Sequence, residues 1–390
     1  MSTVCLVMIV KDESKVIRRV LNSVKPHIDH WVICDTGSTD DTKELIKEEL
    51  KDIPGELYDS KWVDFGTNRT ISLNMARGKA DYFLIIDADC ELQVIDPDWK
   101  SKLTADAYNL PLTKVENGAT IWTTRLVKAT HNWRYEGVVH EYIVCDTLPK
   151  NSKAELFDRI RFLDHIDGGH HADLYSHIRT LIKALTGIKP TDKLKPRYTF
   201  YLAQSYYGVG EKEAALYWYQ QRAKMVEGYG EEQWFSYIMI GEILKELGRD
   251  TSESVTKGSL PAIGARPHRL EPYYDAIKYF RETEQFECGY QLGLAYLEKN
   301  APADYLKVSW KPDTQGDLLF VVQDVYDWGF AFEFGICTAQ MGDAQNSLHF
   351  LYNASMSVTA PDDIRSGAKE LIQMIQNNIV ATGPDIYGGT

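Results

Sequence analysis

The pattern of apolar residues changes near the middle of the chain, and that change limits what it can fold into. Up to about residue 95, short apolar runs alternate with helical stretches. The runs at 4–10 (VCLVMIV), 30–37 (HWVICDTG) and 81–89 (DYFLIIDAD) read as buried strands, and 55–62 reads as a weaker one. Between them, residues 13–24 place Val16, Val20, Leu21 and Val24 on one helical face. Residues 38–50 open with Ser38 and Asp41 at the spacing of a capping box, with Asp in place of Glu. A third helix is expected over 66–77. Strand and helix in this rhythm predict a mainly parallel, Rossmann-like α/β sheet with helices on its faces.

From about Pro196 the grammar is helix after helix, rich in Tyr, Leu and Ala. Residues 196–225 read as a helical hairpin turning at Gly208–Gly210, and 233–250, 271–299 and 330–355 read as further hairpins. This is a tetratricopeptide-like pattern of irregular period, whose units bury their apolar faces by stacking. The expected organisation is an α/β domain over 1–170, a linker helix over 171–195, and an all-α repeat domain over 196–390. Residues 255–270 read as a Gly/Pro-rich excursion within the repeats. One more helix is expected after Ala360, followed by a frayed tail at 383–390.

Composition narrows the function. The net charge of −13 argues against a nucleic-acid partner held by phosphate contacts. No stretch reaches the ~18 consecutive apolar residues of a membrane span. The N-terminal apolar run lacks a preceding basic residue and a cleavage site, so it reads as a strand rather than a signal peptide. The six cysteines are scattered without a C-x-x-C pair, as expected of reduced, mostly buried thiols. A cytoplasmic protein is expected, free or peripheral to a membrane.

In open α/β sheets ligands bind beyond the carboxyl ends of the strands, so the polar residues there carry the chemistry. Asp87, Ala88 and Asp89 end the run DYFLIIDAD. Where the chain turns, both carboxylates can approach one divalent cation, and Mg²⁺ or Mn²⁺ favours such oxygen ligands. Asp35 ends the second run; it either caps the following helix or hydrogen-bonds the base or ribose of a nucleotide. In MIVKDE (8–13), backbone groups of Ile9 and Val10 are candidates to hold a flat base, and Glu13 to contact a ribose or favour the helix start. Arg69, in FGTNRT (65–70), is placed to pair with a diphosphate or with Asp87, or to lie at the surface.

Taken in order, MIVKDE, VICDTGSTDDT and FGTNRTISLNMARGKADYFLIIDADCEL resemble glycosyltransferase family 2, whose catalytic domain has the GT-A fold. The resemblance implies that the first two segments form a nucleotide pocket and that Asp89 ligates the metal most directly. Thr36 stands where many members carry a second acid. WRYEGVVHEYI (133–143) is similar to the W-x-x-x-G-x-x-H-E segment of members with tetratricopeptide repeats. In that segment His140 is a candidate to complete a metal shell begun by Asp87 and Asp89, and Glu141 to act as general base. Glu136 and Asp167 are the reserves for that base.

The expectation is a metal-dependent, inverting glycosyltransferase that uses Mn²⁺ or Mg²⁺ and a nucleotide-sugar donor, with a UDP-sugar favoured. Its acceptor is a glycan, a lipid-linked saccharide or a peptide. The repeats are expected to bind a partner protein or a second copy of the chain. The rival readings are a nucleotidyltransferase, which normally needs a basic Gly-rich loop near its start, and a non-catalytic repeat scaffold.

Overall fold

The computed structural model describes residues 1–116, 118, 120–149, 152–168, 175–300 and 320–382. The chain divides into two compact units, Met1–Ala184 and Leu185–Thr390. Residues 171–174 of the expected linker and the expected tail at 383–390 lie outside the described residues.

The first unit runs β1 (Val4–Val10), α1 (Ile17–Val24), β2 (His30–Asp35), α2 (Thr42–Glu49), β3 (Gly55–Asp59), α3 (Phe65–Met75), β4 (Tyr82–Ile85), β5 (Cys90–Val94), β6 (Ala107–Lys114) and β7 (Thr120–Lys128). β8 (Trp133–Glu136), β9 (Tyr142–Cys145), β10 (Glu155–Leu156), β11 (Ile160–Asp164) and α4 (Ser176–Gly187) follow, and the division between the units falls inside α4. Nine strands form one sheet in the order β3-β2-β1-β4-β7-β6-β11-β5, with β10 beside β6. β1 to β4 are mutually parallel, while β7 runs antiparallel to both β4 and β6. The sheet is therefore parallel on one side and mixed on the other. β8 and β9 pair separately.

Alternation along β1 explains the layering. Val4, Leu6, Met8 and Val10 face a core that includes Ile17, Val20, Leu21 and Val24 of α1. Cys5 and Val7 face the opposite core, with Leu73 and Ala76 from the α3 side and Trp133. Side chains of a strand alternate between faces, so a fully apolar strand needs cover on both. The chain leaves β1 for β2 and β3 on one side, then returns to β4 on the other. That reversal beside β1 creates the crevice where ligands of such sheets bind.

One local expectation fails. Ser38 and Asp41 do not form a capping box. Asp41 makes no side-chain cap bond at the start of α2, and the Ser38 hydroxyl instead accepts the Asp12 amide at 2.9 Å. The hydroxyl thus ties the β2 exit to the β1 exit.

The second unit is helical: α5 (Lys195–Gly208), α6 (Lys212–Ala223), α7 (Gly230–Glu246), α8 (Thr251–Ser254), α9 (Leu260–Ala265), α10 (Glu271–Glu282), α11 (Phe286–Asn300), α12 (Phe330–Gln340), α13 (Ala344–Met356) and α14 (Asp362–Thr382). The pairs α5–α6, α10–α11 and α12–α13 are hairpins, as expected of tetratricopeptide-like units. Gly210 and Gly342 take positive φ in the turns of the first and last, a conformation glycine adopts without penalty.

Residues 233–250 are not a hairpin, since α7 occupies most of that stretch. Residues 255–265 are not an excursion; a π-helical turn Val255–Ser259 runs into α9. Gly258 is what makes this packing feasible, because a Cβ there would lie 2.7 Å from the Cα of Gly241 in α7. The glycine that looks like a loop signal in sequence is a helix-contact residue.

Candidate active site

Three strand exits converge at the crevice. Asp35 closes β2 and is 1% exposed. Its Oδ1 accepts from the amides of Gly37 at 2.9 Å and Ser38 at 2.8 Å. Its Oδ2 is buried without a hydrogen-bond partner. Asp35 therefore folds its own turn with one oxygen and holds the other in reserve, and it caps no helix. Thr36 donates to the Val10 carbonyl from both its amide, at 2.9 Å, and its hydroxyl, at 3.1 Å. Both lone pairs of that carbonyl are engaged, so Val10 has no acceptor left for a base. Ile9 pairs with Cys34 in the sheet. Glu13 is buried; its amide donates to the Thr42 hydroxyl at 2.8 Å, and its carbonyl accepts from Val16 and Ile17.

The loop leaving β3 is built onto the same edge. The Ser60 amide donates to the Asp35 carbonyl at 2.7 Å. Asn68, fully buried in α3, accepts from the Val63 amide and donates to Ser60 Oγ and the Lys61 carbonyl. α3 itself begins at Asp64, whose Oδ1 accepts the Thr67 amide.

Arg69 is buried on α3. Its Nη2 donates to Asp87 Oδ1 at 2.6 Å, and its Nε donates to Glu141 Oε1 at 2.6 Å. Burial works against its charge, but the carboxylates of Asp87 and Glu141 more than offset that and raise its pKa above the ordinary value. Arg125, on β7, donates from Nη2 to Asp87 Oδ2 at 2.9 Å. Asp87 thus lies between two guanidiniums. Tyr135 packs beneath Arg69, with its ring centroid 5.8 Å from the guanidinium carbon and its hydroxyl buried without a partner.

Asp89 is separated from Asp87 by the buried Ala88, and its environment differs. Asp89, Cys90 and Asp164 each offer one ligand atom, all within 4.8 Å of one another. Burial, and then the charge of Asp89, push the Asp164 carboxyl above its ordinary range. Burial, and then the charge of Asp87, push the Cys90 thiol up as well. Two carboxylates that repel each other suit a hard divalent cation, whereas a protonated thiol suits it poorly. The residues present therefore fit a hard divalent cation through Asp89 and Asp164.

The geometry separates residues that the sequence reading grouped together. Asp87 is paired with Arg69 and Arg125 and is not one of the three residues whose ligand atoms gather around Asp89. His140 is not in that group either: it adopts φ 51° and packs its ring edge-on against His177 at 5.3 Å. The reserves for the base are engaged elsewhere, Glu136 with the Tyr142 hydroxyl and Arg134, and Asp167 with Arg19. Asp164 and Arg125 carry no sequence signal of their own. Strand pairing brings each of them to the site, from β11 and β7.

Residues 5–135 match the model for Glycosyl transferase family 2. The first unit carries a family 2 glycosyltransferase domain. Over 151 residues the chain is 29% identical to the SPbeta prophage-derived glycosyltransferase SunS of Bacillus subtilis, covering 36% of this chain and 34% of that one. Over 93 residues it is 38% identical to a TPR repeat-containing protein of Synechococcus elongatus, covering 24% of this chain and 22% of that one. The chain therefore spans between about a fifth and a third of the length of these curated relatives. Among solved structures, it is similar to S. aureus TarS 1–349 in complex with UDP-GlcNAc, with a TM-score of 0.33 and 9% identity, covering 82% of this chain and 99% of that one. Asp35, Arg69, Asp87, Asp89 and Arg125 all lie inside the matched family 2 segment, whereas Glu141 and Asp164 lie beyond it. Among the described residues, no helix is long and apolar enough to cross a membrane.

Proposed function

We propose that this protein transfers a sugar from a UDP-sugar to an acceptor with inversion, using a divalent cation. The carrying observation is Asp35 Oδ2, a buried acceptor without a partner at the carboxyl end of β2. An unmade hydrogen bond on a buried carboxylate costs on the order of 1–3 kcal/mol, a cost that a bound ligand removes. The other oxygen is already committed to the turn. One remaining acceptor suits the single imide N–H of uracil, whereas the paired N–H groups of guanine would call for both oxygens.

Asp89 and Asp164 would hold the Mn²⁺ or Mg²⁺, which when bound neutralises charge on the departing diphosphate. Arg69 holds Asp87 at the turn through Oδ1. Glu141 is oriented by Arg69 through Oε1, and among the described residues its Oε2 has no hydrogen-bond partner. Oε2 is our assignment for the general base that takes the proton of the acceptor hydroxyl or thiol. The acceptor belongs to the class of glycans, lipid-linked saccharides and peptides. Ile9 and Glu13 shape the nucleotide pocket through the backbone, and His140 packs beside the base rather than on the cation.

The test is a panel of UDP- and GDP-sugars incubated with Mn²⁺ or with EDTA and read by mass spectrometry. Turnover of a UDP-sugar that EDTA abolishes, and that Asp89→Ala loses with an unchanged melting temperature, is the expected result. Absence of turnover together with absence of nucleotide binding by calorimetry would reject the proposal.

A further inference from the structure

Arg125 has chemistry that nothing above explains. It comes from β7, beside β4, and its side chain is 18% exposed. Among the described residues, its one hydrogen bond is from Nη2 to Asp87 Oδ2 at 2.9 Å. Arg69 holds the other oxygen of the same carboxylate at 2.6 Å. A guanidinium on each oxygen fixes both the position and the plane of a carboxylate, whereas one partner leaves it free to rotate.

The cluster is also balanced in charge. Arg69 and Arg125 supply two positive charges, and Asp87 and Glu141 supply two negative ones. If Asp87 were unneutralised, it would add a like charge two residues from Asp89 and raise the cost of gathering Asp89 and Asp164. With Asp87 neutralised, the turn presents one carboxylate to the cation group and one fixed carboxylate to the neighbouring donor.

We infer that Arg125 is a positioning residue: it acts through Asp87, holding that carboxylate where the donor's hydroxyls can reach it and away from the cation. This rests on the UDP-sugar reading above.

The test uses the full chain and UDP alone as the probe, with Mn²⁺ affinity measured separately. Wild-type protein comes first; if it fails to bind UDP, the proposed function fails and Arg125 is not at issue. Given wild-type binding, Arg125→Met should weaken UDP at least about tenfold, the loss of one charge-assisted contact. Arg125→Lys should recover part of that loss. Asp87→Asn and the double variant Asp87→Asn/Arg125→Met should bind UDP equally, because Arg125 acts only through Asp87. UDP affinity unchanged in Arg125→Met, or a further loss in the double variant, would overturn the inference. If Arg125→Met lowers the melting temperature severely, Arg125→Lys keeps the test open, since a purely structural role would leave its UDP affinity at the wild-type value.

Discussion

Arg69 holds Asp87 with Nη2 and Oδ1 2.6 Å apart, and both side chains are largely withdrawn from water. The same guanidinium serves Glu141, so one cation answers for two carboxylates. Replacing it with an apolar residue of similar length would leave both without it. Removing one partner from such a group usually costs about 3 kcal/mol or more. Arg69→Met is expected to lower unfolding stability by about that much, measured by urea denaturation of the full chain.

Asp35→Asn should preserve the fold and damage the site. The amide oxygen of Asn can take over the bonds from Gly37 and Ser38, which turns the NH₂ toward the position of Oδ2. A donor there confronts the N–H of a base instead of accepting from it. UDP affinity by calorimetry is expected to fall at least about tenfold, while the melting temperature stays near wild type or rises. Undiminished binding would remove Asp35 from the donor site.

Asp40 sets an acid limit on the α2 start. Burial would raise its carboxyl, but hydrogen bonds from Ser14 and Thr42 outweigh burial and hold it down at about 2, from an ordinary value of 3.8. The folded pKa is depressed, so the stabilisation is fully present above the unfolded value and is lost as pH falls through the folded one. Stability is therefore expected to decline between pH 3.8 and about 2. Asp40→Asn should flatten the part of that decline due to this group, as followed by thermal melts across the window.

In the second unit, Gly258→Ala is expected to be destabilising. Its Cβ would meet the backbone of Gly241 at 2.7 Å, and backbone cannot swing aside as a side-chain tip can. Overpacking of this kind costs about 1–3 kcal/mol. Gly264→Ala is the matched control, because it lies in α9 with nothing within 4 Å of the added carbon. It should be neutral or gain up to about 1 kcal/mol from helix propensity. Thermal melts that order the two variants the other way would refute the close-contact account.

Much of the first unit was legible because its signals are local. The run at 4–10 is β1 residue for residue, and the turn carrying Asp87 and Asp89 follows β4 as its apolar run implied. What escaped depends on long-range pairing. Arg125 sits in TIWTTRLVK, an alternating strand where a single arginine looks like an ordinary solvent-facing residue, and its partner lies 38 positions away. Asp164 gains meaning only when β11 aligns it with Cys90 across an antiparallel register. Ser38 misled for a related reason. A hydroxyl at a helix start has several possible partners, and the amide it meets belongs to the β1 exit. Gly258 reads as a breaker unless Gly241 is known to face it.

The start of α3 and the 137–141 turn are fitted together as tightly as two parts of one casting. The Phe65 amide donates to the Val138 carbonyl at 3.1 Å, and a Cβ on Gly66 would stand 2.1 Å from the Gly137 carbonyl oxygen. Neither segment has room to drift alone, so descendants of this sequence are expected to alter the two together or leave both untouched. The arginine on one and the glutamate on the other would then pass through evolution as a single inherited character.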